Sequence, residues 1–220
     1  MTLTLEAPQV APQISPVTQK RTKKIPDYLI YEVMNGKPIY YRGYKQVLSG
    51  KLKFEDIMGA SALQSFFLSL VNNFLYPLIQ KEYFTMLGEM GVHIELGDNL
   101  SADLAVFHRS QLTYERIWSG KYADYPPVIV VEVDTKAAPQ SVEDFQKYFT
   151  EKIQKYLDFG VEQVVWIFTK SRKVWVATND GSPWLIQNWQ ATITILGQSF
   201  SIEQLIVDYG FDPTKLRINQ

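Results

Sequence analysis

The sequence contains no cysteine, and histidine occurs only twice, at His93 and His108. Disulfides, thiol nucleophiles and cysteine-rich zinc sites are thereby excluded. Charge of either sign is not in excess: 22 lysines and arginines face 23 acids, a net charge of −1. Nothing in that total announces a polyanionic partner, so a nucleic-acid enzyme built on this chain would have to concentrate its positive charge locally. Lys20–Lys24 and Lys170 to Lys173 are the candidate tracts, although short charge runs are usually solvated. No segment offers roughly 18 uninterrupted apolar residues, and the N-terminus lacks the apolar core of a secretory signal. The expectation is a cytoplasmic protein with no membrane span. Its 220 residues suffice for a single domain with a sizeable core.

What is present begins with an aperiodic stretch, residues 1–24, that reads as a flexible arm. Around Asn35-Gly36 the tract Tyr28–Tyr44 alternates aromatic and polar residues, a strong hairpin signal. From Ser61, a candidate N-cap, apolar residues recur at helical spacing to about Lys81, with Pro77 near the end. Strands are predicted near Tyr83–Met86, Gly91–Leu96 and Ala102–Phe107, and Pro126-Pro127 leads into another at 128–134. Pro139 and Ser141 introduce a helix over Val142–Phe159 that Gly160 ends. Gln163–Thr169, Lys173–Thr178 and Trp184–Trp189 are further strand-like tracts. Thr192–Leu196 leads into a short helix near Ile202–Tyr209. Residues 25–210 are expected to form the domain and 211–220 a tail.

Acids within apolar strands are the informative feature. Asp103 sits in Leu100–Phe107, and Glu132 and Asp134 close the run Val128–Asp134. Burying a carboxylate costs several kcal/mol unless it is paired or bound to a metal, so such strands are built around a site. Strand alternation sets Glu132, Asp134 and Lys136 on one face and Val131 and Val133 on the other. Were the Asp103 strand adjacent, three carboxylates could converge on a hard divalent ion, Mg²⁺ or Mn²⁺.

On the helix at 142–159, Phe145, Tyr148, Phe149, Ile153, Tyr156 and Phe159 form one stripe. Lys152 falls in its middle, where a lysine snorkels or meets an acid. One outcome is an ion pair with Glu132 that merely fastens helix to sheet; the other is an ammonium poised beside metal-bound carboxylates. Lys136 competes for that role from the strand end. Glu32 and Glu89 are candidate outer acids. His93 reads as a hydrogen-bonded structural residue and His108 as exposed. Tyr40, Tyr41, Tyr44, Trp118, Tyr122 and Tyr125 either pack or stack on bases, packing being the commoner use.

Asp103, the Glu132-Val-Asp134 strand and the segment Lys152 to Val161, with Tyr31–Gly36, Gly59 and Val164–Ile167, together resemble the Uma2 family. This family, DUF820, is abundant in cyanobacteria and looks like a branch of the PD-(D/E)XK nuclease superfamily. Alanine at 102 stands where proline is usual. Asp134 stands where the motif usually has lysine, which implies that the lysine has moved to the helix at Lys152. Ser61 to Gln64 occupy a position that often carries histidine.

The resemblance implies an α/β (α+β) restriction-endonuclease-like core, a mixed central sheet flanked by helices with an N-terminal β-hairpin extension. It implies a Mg²⁺- or Mn²⁺-dependent endonuclease acting on DNA, and a homodimer. Asp103 and Glu132 would hold the metal, with Asp134 or the Val133 carbonyl completing the shell, and Lys152 would orient water. Two alternatives stay open: a nucleic-acid-binding or assembly module without turnover, and the same chemistry on RNA or a small phosphodiester.

Overall fold

A computed structural model describes residues 24–138 and 141–216. The expected arm, with its basic run except Lys24, lies outside the described residues, as do Pro139 and the last four residues of the tail.

Asn35 and Gly36, with φ of 54° and 68°, take the left-handed conformations of a two-residue turn. They join β1 (Ile30–Met34) to β2 (Lys37–Tyr40) as expected. Two short helices, α1 (Tyr44–Leu48) and α2 (Glu55–Met58), lead to the long α3 (Ala62–Ile79). Ser61 caps α3 by accepting from the Gln64 N–H at 3.1 Å, and Pro77 lies two residues before its end. Residues 55–79 are long and apolar enough to satisfy a membrane-span criterion. In the fold, however, Phe67, Leu70, Val71 and Leu75 of α3 are buried against the sheet.

β3 (Tyr83–Glu95) and β4 (Asp98–His108) form a long antiparallel hairpin. The two separate strands expected at 83–86 and 91–96 are therefore one. The register shift between Leu87 and Met90 accommodates Gly88 and Glu89 at positive φ, a bulge that bends the strand instead of ending it. After α4 (Tyr114–Ile117) the chain enters β5 (Ile129–Val133), crosses over through α5 (Val142–Phe159) and returns as β6 (Gln163–Phe168) parallel to β5. Ser141 caps α5 by accepting from the Asp144 N–H, and Gly160 at φ 112° closes it. All five β5 residues are buried, as a strand covered on both faces requires. The chain continues through β7 (Lys173–Thr178), β8 (Leu185–Asn188), the hairpin β9 (Ile193–Ile195) and β10 (Gln198–Phe200), and α6 (Ile202–Asp208).

The main sheet runs β2-β1-β4-β5-β6-β7-β8, with β3 also paired to β4. Val131, Val133 and Ile167 pack beneath α3 and α6, while Val130, Val164 and Trp166 meet Tyr148, Phe149 and Ile153 of α5. The fold is thus α+β, a mixed sheet between helical layers with an N-terminal hairpin on its edge.

β4 carries the feature that positions the site. Asn99 pairs with both His93 and Val33, and Leu104–Val106 pair with both β3 and β5. Since β3 occupies one edge, β1 and β5 share the other, β1 at the start of β4 and β5 near its end. Between them, at Ser101–Asp103, that edge is open to side chains.

Candidate active site

Buried charge fills this opening. The Ser101 N–H donates to Glu32 Oε2 at 3.2 Å, and the Ser101 carbonyl accepts from Lys152 Nζ at 2.8 Å. Backbone groups without strand partners are thus satisfied by side chains, as buried amides require. Lys152, at 0% exposure, spends its other donors on Glu32 Oε2 and Glu132 Oε1, each at 3.1 Å. Four aromatic rings, of Tyr31, Tyr148, Tyr156 and Trp166, surround its ammonium at 5.6–5.9 Å, within cation–π range. Tyr148 donates its hydroxyl to Glu32 Oε1, and Tyr156 donates to Glu132 Oε1 at 3.3 Å.

Asp103 sits at the other end of the opening. Continuing the Leu104–Val131 pairing by one step sets it opposite Glu132, where cross-strand side chains approach each other. Its Oδ2 accepts from the Val133 N–H and its Oδ1 from Gln64 Nε2, both at 2.8 Å. Gln64 was given no site role from sequence; its signals were its place in the first turn of a capped helix that must pack on the sheet and in the Ser61–Gln64 stretch where the resembled family often carries histidine.

The electrostatics follow from burial. Desolvation pushes the Glu132 carboxyl up to about 8, with Lys152 opposing and Asp103 and Glu32 reinforcing the shift. Asp103 is also raised by burial, against the pull of the Val133 N–H, Lys152 and Gln64. Burial alone would lower the Lys152 pKa, but Glu132 and Glu32 outweigh it and hold it well above the ordinary value.

Other expected residues lie elsewhere. β5 stops at Val133, and Asp134 turns to φ 52°, so the alternation that was to keep it beside Glu132 breaks there. Its carboxylate accepts from the Thr169 N–H at 2.9 Å and hydroxyl at 2.5 Å, pinning the end of β6. Lys136 forms an ion pair with Glu89 of the β3 bulge, apart from Lys152. Of the two outer acids, Glu32 joins the buried cluster and Glu89 does not. His93 bonds Asn99 at 2.6 Å, and His108 is exposed at the β4 end. Tyr40, Tyr41, Tyr44 and Tyr125 pack on other rings, whereas Trp118 and Tyr122 are largely exposed.

The donor set suits a hard divalent cation. Among the described residues no cluster of three or more His, Asp or Glu side chains is close enough to hold a metal. Mg²⁺, however, commonly takes one or two carboxylates and keeps several waters. Asp103 and Glu132 meet that need, and Glu132 engages Lys152 and Tyr156 through Oε1, leaving Oε2 for another ligand.

Comparison with known proteins bears on this arrangement. The Uma2 family model, described as "Putative restriction endonuclease", matches residues 59–208. A crystal structure described as "a putative nuclease belonging to DUF820 from Anabaena variabilis ATCC 29413" is similar at a TM-score of 0.56 and 20% identity, covering 80% of this chain and 89% of that one. No curated protein matches. The matched span begins at Gly59, just ahead of the Ser61 cap, and runs through Asp103, Glu132 and Lys152 to the end of α6. The buried cluster therefore lies within it, apart from Tyr31 and Glu32 of the hairpin, and the chain belongs to the Uma2 family.

Proposed function

We propose that this protein is an endonuclease that hydrolyses DNA phosphodiester bonds with Mg²⁺ or Mn²⁺ held by Asp103 and Glu132. The observation that carries the proposal is the meeting of these two carboxylates with Lys152 in the opening along β4, beside a cavity of about 270 Å³ whose wall includes Gln64 and Val133, the two groups bonded to Asp103. A divalent cation bound there supplies an acidified water and a polarised phosphate. The chain's own groups do the rest. Gln64 and the Val133 N–H fix the direction of Asp103, and Glu32 with the Ser101 carbonyl fixes Lys152. The ammonium, held there, offsets charge developing on phosphorus through space.

Incubating the purified protein with supercoiled, linear and single-stranded DNA, with Mg²⁺, Mn²⁺ or chelator, tests this. Cleavage that the chelator stops is expected, reduced by at least about 100-fold in Glu132→Gln and in Lys152→Met, the scale of losing a transition-state donor. Unchanged cleavage by both folded variants would reject the assignment. Cutting both strands of a duplex calls for a second copy of the site, and sedimentation tests the expected homodimer.

A second reading has its own support: Lys152 has all three N–H donors engaged, and both Asp103 oxygens accept protein hydrogen bonds. Such a self-satisfied cluster suits a nucleic-acid-binding module without turnover. It predicts DNA binding with no metal-dependent cleavage.

A further inference from the structure

Two cavities meet at a wall shared by Arg42, Asp134 and Thr135. The smaller is the one beside Asp103. The larger, about 640 Å³, opens next to it beneath the Thr169–Ser171 turn. Its volume falls within the roughly 300–1,000 Å³ of small-ligand sites.

The larger lobe is divided chemically. Half-buried Leu63, Phe145 and Phe168 make an apolar side, and their rings are anchored from behind, Phe145 and Phe168 each meeting Phe149 edge-on at 5.3 and 5.5 Å. Arg42 and Lys170 make a cationic side; both are exposed and neither forms an ion pair among the described residues. The one acid in the wall, Asp134, has its carboxylate engaged by Thr169. The Arg42 backbone is held in turn, its N–H donating to the Lys136 carbonyl at 2.5 Å while Tyr41 pairs with Ala137.

A flat heterocycle joined to an anionic phosphate has the same division. Only an unpaired base can enter such a lobe, because a duplex base is stacked on both faces and paired along its edge. We propose that the lobe holds one unpaired nucleotide of the substrate strand, its base against Phe145 and Phe168 and its phosphate on Arg42. Resting on the nuclease reading, this places the neighbouring phosphodiester in the smaller cavity beside Asp103 and makes the substrate single-stranded, or frayed, where it is cut. Arg42 precedes the family-matched span, so the N-terminal segment contributes directly to the strand path.

Binding in chelator tests the subsite apart from catalysis, by polarisation of a labelled oligonucleotide offered as unpaired DNA, as duplex and as RNA of the same sequence. Unpaired DNA should bind at least about tenfold tighter than duplex, the scale of one base–aromatic stack. Arg42→Ala should weaken that binding several-fold and reduce the salt slope by about one. Phe145→Ala should weaken it without that change in slope. Tighter binding of unpaired RNA, with the same variant effects, also supports the subsite and moves the substrate to RNA. Duplex bound as tightly as unpaired strand, no binding at all, or wild-type affinity in the surface variant Arg42→Ala would overturn the proposal. Intact unpaired-strand binding without metal-dependent cleavage would support the subsite and refute the nuclease reading.

Discussion

Lys152 is buried among two carboxyl groups and four rings, and removing its charge takes away the counter-charge they share. Breaking one side of a buried ion pair costs about 3–5 kcal/mol, because the partner's charge is left uncompensated. Lys152→Met should therefore lower stability in urea by about that amount, and adding Glu32→Gln should recover part of it. A loss below about 1 kcal/mol would mean that the cluster is wetter than its burial implies. Glu132 gives a second prediction, with the opposite sign from most carboxylates. Its folded pKa of about 8 lies above the ordinary 4.5, so the native state holds a proton that the unfolded chain has released between those values. Its stabilising contribution is present below about 4.5 and is lost as pH rises towards about 8. In chelator, urea midpoints should fall across that window for wild type and fall less for Glu132→Gln. Asp103, Glu132 and Lys152 could be read from sequence because each breaks an apolar pattern whose period is known. Asp134 could not be placed correctly, since a left-handed residue ending the strand leaves no mark on that pattern. Glu32 was a candidate outer acid, but its place inside the cluster depends on a lysine 120 positions away, which no local pattern reveals.

At the level of elements, boundaries marked by side-chain chemistry were the legible ones. Asn35-Gly36, Ser61, Ser141 and Gly160 each satisfy a local backbone need, so the β1–β2 turn, the start of α3 and both ends of α5 fall where the sequence indicates. β3 was expected as two strands, whereas a bulge at Gly88 and Glu89 keeps it one. The α3 cap also links local structure to the site. Ser61→Ala removes the acceptor for the Gln64 N–H and should cost about 1 kcal/mol. Because Gln64 Nε2 holds Asp103 Oδ1, loosening that first turn should also lower cleavage at saturating substrate. Ser61→Asp keeps an acceptor at the cap and should restore both. Stability restored without activity would show that the cap and Asp103 are independent.

At the scale of the molecule, the main sheet lies between two apolar layers, and the charged cluster occupies the gap on one edge of β4, between its pairings with β1 and β5. Three carboxyl groups share that gap with one ammonium, so ionising Glu132 adds negative charge that Lys152 alone does not balance. The fold thus carries an electrostatic cost that a bound divalent cation would offset, while the unfolded chain, with its acids dispersed in water, gains little from the same ion. A ligand that binds the native state alone stabilises it by mass action, about 2.7 kcal/mol at a concentration 100 times its Kd. Mn²⁺ should therefore raise the thermal midpoint in a concentration-dependent way, and excess chelator should reverse the rise. The effect should be greater above the Glu132 pKa of about 8, where no proton has to be displaced. Glu132→Gln should abolish most of it, whereas Asp134→Asn should not, because that carboxylate is committed to Thr169. Equal stabilisation of wild type and Glu132→Gln would move the cation away from the β4 opening and leave the buried cluster a purely structural role.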